Sequence, residues 1–111
     1  EELAALLEEM RRLVARRRYR VPVTVLDCLT DMGLAGALVP DILNALNAAA
    51  YRKSDPCLQA ESMLTHFFWL DYQAPDDTVH HLFVKFYIDA DNLVHVQSLK
   101  PNDRFAEGDH K

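Results

Sequence analysis

Two periods divide this chain. From residue 2 to 17 the apolar positions Leu3, Leu6, Leu7, Met10, Leu13 and Val14 recur at the spacing of one helix face. Glutamates fill the first turns and arginines the last, the polarity a helix dipole favours. Residues 19–21 predict a short extended segment, because Pro22 pushes the residue before it away from helical geometry. A second helix is expected to begin at Thr24, its hydroxyl as N-cap and Asp27 three residues on in capping-box spacing, and to end at Gly33. Pro40 and Asp41 mark the first turn of a third helix whose buried stripe is Ile42, Leu43, Leu46 and Ala49.

After Ala50 the period changes to two. Residues 51–55 (YRKSD) form a short strand candidate, 56–61 a loop, and 62–72 (SMLTHFFWLDY) an aromatic, β-prone run. In 79–88 (VHHLFVKFYI) the alternation puts His80, Leu82, Val84, Phe86 and Ile88 on a core face and His81, Phe83, Lys85 and Tyr87 on the other. A turn at 89–92 (DADN) closes a hairpin with 93–99, Lys100 ends that strand, and 101–111 read as a polar tail. The pattern predicts one α+β domain over residues 1–100, with N-terminal helices packed on one side of a small antiparallel sheet.

Composition narrows the class. The 111 residues, half of them apolar, suffice for one core, and no run has the length of a membrane span. The opening two glutamates lack a basic-then-apolar signal pattern, so a cytoplasmic protein is expected. Cys28 and Cys57 belong to no CxxC pair and read as free thiols. A net charge of −5 argues against non-specific nucleic-acid binding.

The cations are unevenly placed, however. Six of the twelve lie in 11–20 (RRLVARRRYR), and Arg52, Lys53, Lys85 and Lys100 sit on or beside predicted strands of an otherwise acidic half. A lysine adds nothing to a sheet's apolar face and costs side-chain entropy to order, so several on neighbouring strands point to an anion such as phosphate. The competing reading of Lys85 is the solvated face of a half-exposed sheet. Arg18 and Arg20 flank Tyr19, a ring and guanidinium combination that suits unstacked bases, although a helix-end charge cluster needs no ligand. No His, Cys or Asp pair has a recognised metal spacing, and His80 and His81 should point to opposite sheet faces, so no metal or other cofactor is expected.

These residues carry a resemblance. RRLV at 11–14, DMGL at 31–34, ILNAL at 42–46, YRKS at 51–54, WLDY at 69–72, LFVKF at 82–86 and SLK at 98–100 occur in the order and spacing of the motility quorum-sensing regulator (MqsR) type of toxin, to which the chain is similar from its first helix to Lys100. The resemblance implies a RelE-like microbial RNase architecture and an mRNA interferase of a type II toxin-antitoxin system, cutting at GCU-like sequences. It also implies a cognate antitoxin that is itself a DNA-binding repressor. The implied chemistry is metal-independent. The ribose 2′-OH attacks the adjacent phosphate, which requires a base for its proton, cations for the phosphorane and an acid for the leaving oxygen.

The family's catalytic lysines fall on Lys53 and Lys100. Its Gln after the strand Trp is Leu70 here and its strand Tyr is Phe83, so two polar groups are lost. Replacement acid–base groups on the Phe83 face are His81, Lys85 and Tyr87, the imidazole ordinarily titrating near neutral pH. Substrate contacts are expected from Arg52, Phe83 (by stacking), Tyr72, Arg18 and Arg20. With Leu70 and Phe83 in place, the alternative is a toxin-fold interaction module that binds an antitoxin-like partner or RNA without cutting it. A small-ligand binder that shares only the fold is a third reading.

Overall fold

A computed structural model describes residues 2–56 and 63–102. Helix α1 (Glu2–Ala15) leads through β1 (Tyr19–Arg20) to α2 (Val23–Asp31) and, after a 3₁₀ turn, to α3 (Val39–Ala45). Four longer strands follow: β2 (Tyr51–Pro56), β3 (Leu64–Gln73), β4 (Val79–Ile88) and β5 (Val94–Pro101). They form one five-stranded sheet in the order β1-β5-β4-β3-β2. The architecture is the α+β one the periods predict. The sheet is nevertheless mixed and not purely antiparallel, because β1 pairs parallel with β5. The helices α2 and α3 carry the chain from β1 to the far edge strand β2, and β3 and β4 bring it back to β5, the long crossover that a parallel pair requires.

Alternation decides which face the helices cover. Phe68, Leu70 and Tyr72 of β3, Leu82, Val84 and Phe86 of β4, and Val94, Val96 and Leu99 of β5 are buried against Leu7, Met10, Leu13 and Val14 of α1, Val25 and Leu29 of α2, and Ile42 and Leu43 of α3. Phe68 and Phe86 stack at 5.7 Å between ring centroids in the middle of this core. Opposite the core the sheet carries no helix of the described residues, so one layer of helices and one open sheet face result.

Local chemistry explains where the elements depart from expectation. The second helix is capped two residues earlier than expected, at Pro22, whose carbonyl accepts from the N–H groups of Val25 and Leu26. Thr24 is inside the helix and caps nothing. The third helix stops at Ala45 because Asn47 turns extended and its Oδ1 accepts from the N–H of Ala50, which diverts the chain into a 3₁₀ turn. Ala49 is consequently exposed, and Ala50 is the buried residue. Pro101 still pairs with Leu82 in the sheet, and Asn102 just beyond it is buried with its N–H donating to the His81 carbonyl, so neither belongs to a tail. The rest of the expected tail, the loop after Pro56 and Cys57 lie outside the described residues. Cys28 is a free thiol in α2. Among the described residues no single helix is long and apolar enough to cross a membrane.

Two helix ends use the same device with different residues. Gly33 takes φ +78°, its N–H donating to Thr30 O and that of Leu34 to Leu29 O, a Schellman closure of α2. Arg17 takes φ +62° at the equivalent place after α1, its N–H donating to Val14 O and that of Arg18 to Leu13 O. Glycine holds this conformation without a steric penalty and arginine does not. Arg17→Gly is therefore expected to stabilise the protein by about 0.5–1 kcal/mol, read as a higher urea midpoint at unchanged m-value.

Tyr72 ties α3 to the sheet. Its buried hydroxyl donates to Asp41 Oδ2 at 2.6 Å, and burial together with that carboxylate pushes the phenol up to about 12. The native state thus keeps the phenol proton over a range where the unfolded chain loses it. The stabilisation is complete below about pH 10 and fades as pH rises toward 12. Tyr72→Phe should cost about 1 kcal/mol at neutral pH. Its deficit relative to the parent in urea titrations should shrink between pH 10 and 12.

Candidate nucleic-acid interface

The open face is a lattice fixed by strand register. In one row Lys100 of β5 faces Phe83 of β4, which faces Trp69 of β3. In the next, Ser98 faces Lys85, Lys85 faces Phe67, and Phe67 faces Lys53 of β2. A row beyond, Tyr87 faces His95, which pairs with Arg20 of β1. At the other end His81 faces Asp71. A bulge between Tyr51 and Lys53 lets Arg52 and Lys53, although adjacent, both reach rings of this face.

Each of the four strand cations stands over an aromatic ring. The Arg52 guanidinium carbon is 4.5 Å from the Trp69 ring centroid, Lys53 Nζ and Lys85 Nζ are 5.1 and 5.4 Å from Phe67, and Lys100 Nζ is 5.4 Å from Phe83. The rings themselves touch, Phe67 and Phe83 lying 5.9 Å apart. A cation over a ring face gains roughly 0.5–1 kcal/mol at an exposed site, enough to hold the ammonium groups up from the sheet without neutralising them. Lys53 Nζ also meets Asp55 at 2.9 Å, an exposed pair that a stronger anion can displace.

At the edge of the lattice, His81 Nδ1 lies 2.7 Å from Asp71 Oδ1. A carboxylate only accepts, so Nδ1–H is the donor and the lone pair of the neutral ring falls on Nε2. That is an oriented base two residues along β4 from Phe83, with Lys85 two residues along on the other side.

The lattice gathers Lys53, Lys85, Lys100, His81, Tyr87, Arg52, Phe83 and Arg20 on one surface. It does not gather Tyr72, which is on the helix-covered face, or Arg18, whose guanidinium donates to the carbonyls of Asp91 and Asn92 and clamps the β4–β5 turn. The arginine block divides in the same way. Arg11 donates to Leu46 O beyond the end of α3 and Arg12 pairs with Glu9, both structural uses, while Arg16, Arg17 and Arg20 are exposed. Asp71, His95 and Ser98 join the face without having been singled out by sequence, and Phe67 and Trp69 join it from the aromatic run of β3. Alternation within each strand was the available signal, but only the pairing register shows which parities coincide.

Leu70 is buried on the helix side, so no side chain at that position meets a ligand on the open face, and its open-face neighbours are Trp69 and Asp71. Phe83 does lie on the open face and retains a stacking surface where a phenol is lost. No protein-family model and no curated protein matches the chain.

The register makes a specific expectation for the two departures. Leu70→Gln should place an amide in the core and lower stability by about 2–4 kcal/mol in urea denaturation, with no gain of activity. Phe83→Tyr should be close to neutral in the same measurement.

Proposed function

We propose that the open sheet face binds single-stranded RNA and cleaves it without a metal ion, as an mRNA interferase does. The observation that carries this reading is the set of four cations, each mounted over an aromatic ring, on one uncovered surface. Positive groups that track a phosphate backbone, alternating with rings that accept unstacked bases, are what sequence-tolerant recognition of a single strand requires. The net charge of −5 does not oppose it, because among the described acidic residues only Asp55, Asp71 and Asp89 contact side chains of this face.

In this reading the scissile phosphate lies over Phe83. His81 Nε2, oriented by Asp71, takes the proton of the ribose 2′-OH as its oxygen attacks phosphorus. Lys100 and Lys85, on two sides of Phe83, hold the charge of the phosphorane. The bond to the 5′-oxygen then breaks, and Lys85 supplies the proton to that leaving group. The products are a 2′,3′-cyclic phosphate and a 5′-OH end. Lys53 and Arg52 hold the next phosphate along the strand. The resemblance to MqsR-type toxins adds mRNA as substrate and a cognate antitoxin that masks this face.

The test is incubation of the purified protein, in EDTA, with an unstructured RNA containing every trinucleotide. Cuts with 5′-OH ends are expected, lost by about 100-fold or more in Lys100→Ala and His81→Ala. Lys53→Ala should weaken RNA binding and lower the salt slope of log K by about 0.7. Stability should change by less than about 1 kcal/mol in each variant, since each side chain is exposed. RNA binding without cleavage by the folded parent would favour the non-cutting interaction module, for which the absence of a phenol at Phe83 is the specific support.

A further inference from the structure

Beyond the cation and ring lattice, the same sheet face ends in a cleft of about 390 Å³ at the β1–β5 junction, lined by Arg20, Val21, Pro22, Tyr87, His95, Val96 and Gln97. Small-molecule sites run from about 300 to 1,000 Å³, so the cleft has room for one nucleotide. Its floor is preorganised. The rings of Tyr87 and His95 lie parallel, 2° apart in plane and 4.6 Å between centroids. His95 Nε2 donates to Asp89 Oδ2 at 2.7 Å. That bond, with further N–H groups of Leu93 and Asp91, holds the Asp89 carboxyl below its ordinary range, so it stays ionised and the imidazole is fixed in one orientation. The cation is Arg20, held by the parallel pairing beside His95 and exposed, and no carboxylate among the described residues pairs with it.

A fixed aromatic platform and a guanidinium in one cleft form a set that a small apolar ligand does not need and a nucleotide does. The ring carries the base and the fork binds phosphate. Position agrees with this. Tyr87 is two residues from Lys85 on the same face of β4, about 7 Å by the rise of a strand, which is within the reach of a single extended nucleotide.

Building on the RNA reading above, we propose that this cleft is a flanking-nucleotide subsite. In it Arg20 binds a phosphate and the Tyr87–His95 platform stacks the adjoining base, so that the strand crosses the sheet from Trp69 to β1.

The probes are 2′-O-methyl RNAs of three and five nucleotides, which lack the attacking hydroxyl and cannot be cut, with affinities measured by calorimetry. The parent should bind the longer RNA about tenfold more tightly, the gain of one base–aromatic stack. In Arg20→Ala, and separately in His95→Gln, that ratio should collapse toward the small statistical advantage a longer strand has from offering more registers. Arg20 is exposed, so its variant tests the subsite even if loss of the His95 ring perturbs β5. If both RNAs bind the parent and the ratio is absent, or survives in both variants, the subsite is wrong while the open-face reading stands. If neither RNA binds the folded parent, the RNA reading fails and the subsite falls with it.

Discussion

The pairing of β3 with β4 is the constraint on which the rest of the structure depends. Eight consecutive residue pairs, from His66 with Phe86 to Gln73 with Val79, run without a bulge and fix the parity of both faces at once. Slipping β4 by one residue against β3 would turn Lys85 toward the helices and bring Leu82, Val84 and Phe86 into water. Burial of those three side chains, with Phe68 and Phe86 stacked at the centre, gives the register its energy. The charged lattice on the far side is held in place by a core it never touches.

That division explains how a chain with a net charge of −5 can present a cationic surface. Cations gathered on one face repel each other, and the protein limits the cost by seating each over the negative face of an aromatic ring instead of beside a carboxylate. Lys85, Lys100 and Arg52 have rings as their described neighbours, and Lys53 alone also meets a carboxylate. A ring holds an ammonium group without cancelling its charge, whereas an ion pair would leave little for an incoming phosphate. Three described carboxylates touch the face, and Asp89 fixes the His95 ring. Asp71 orients His81, and Asp55 sits at the β2 edge.

The N-terminal arginines show the same economy differently. Arg11 and Arg18 are spent on carbonyls at the end of α3 and at the β4–β5 turn, which ties the first helix and its exit to elements distant in sequence. Arg18 also anchors the point at which β1 joins β5, where its carbonyl accepts from Val94 N–H. The parallel pair is short, but it sets Arg20 beside His95 and so extends the open face to its last strand.

Much of this was legible in the sequence. The 3.6-residue spacing in the first helix and the alternation from Val79 to Ile88 determined which residues are buried there, because a helix or strand has one periodicity and the apolar residues must share a face. Local chemistry placed Gly33 at a helix end and put Lys85 opposite Leu82, Val84 and Phe86. Sequence could not show that β1 would run parallel, that Asn47 would break the third helix, or that Leu70 and Tyr72 face the core while Trp69 and Asp71 do not. Those outcomes depend on which strand lies beside which and in what register, and on competition between a side-chain amide and the backbone. The chain alone determined that Arg52, Lys53, Lys85 and Lys100 would stand on strands or at their ends. Only the tertiary structure decided that they share one face with the rings and with His81, because strands distant in sequence come into register through the burial of their opposite sides.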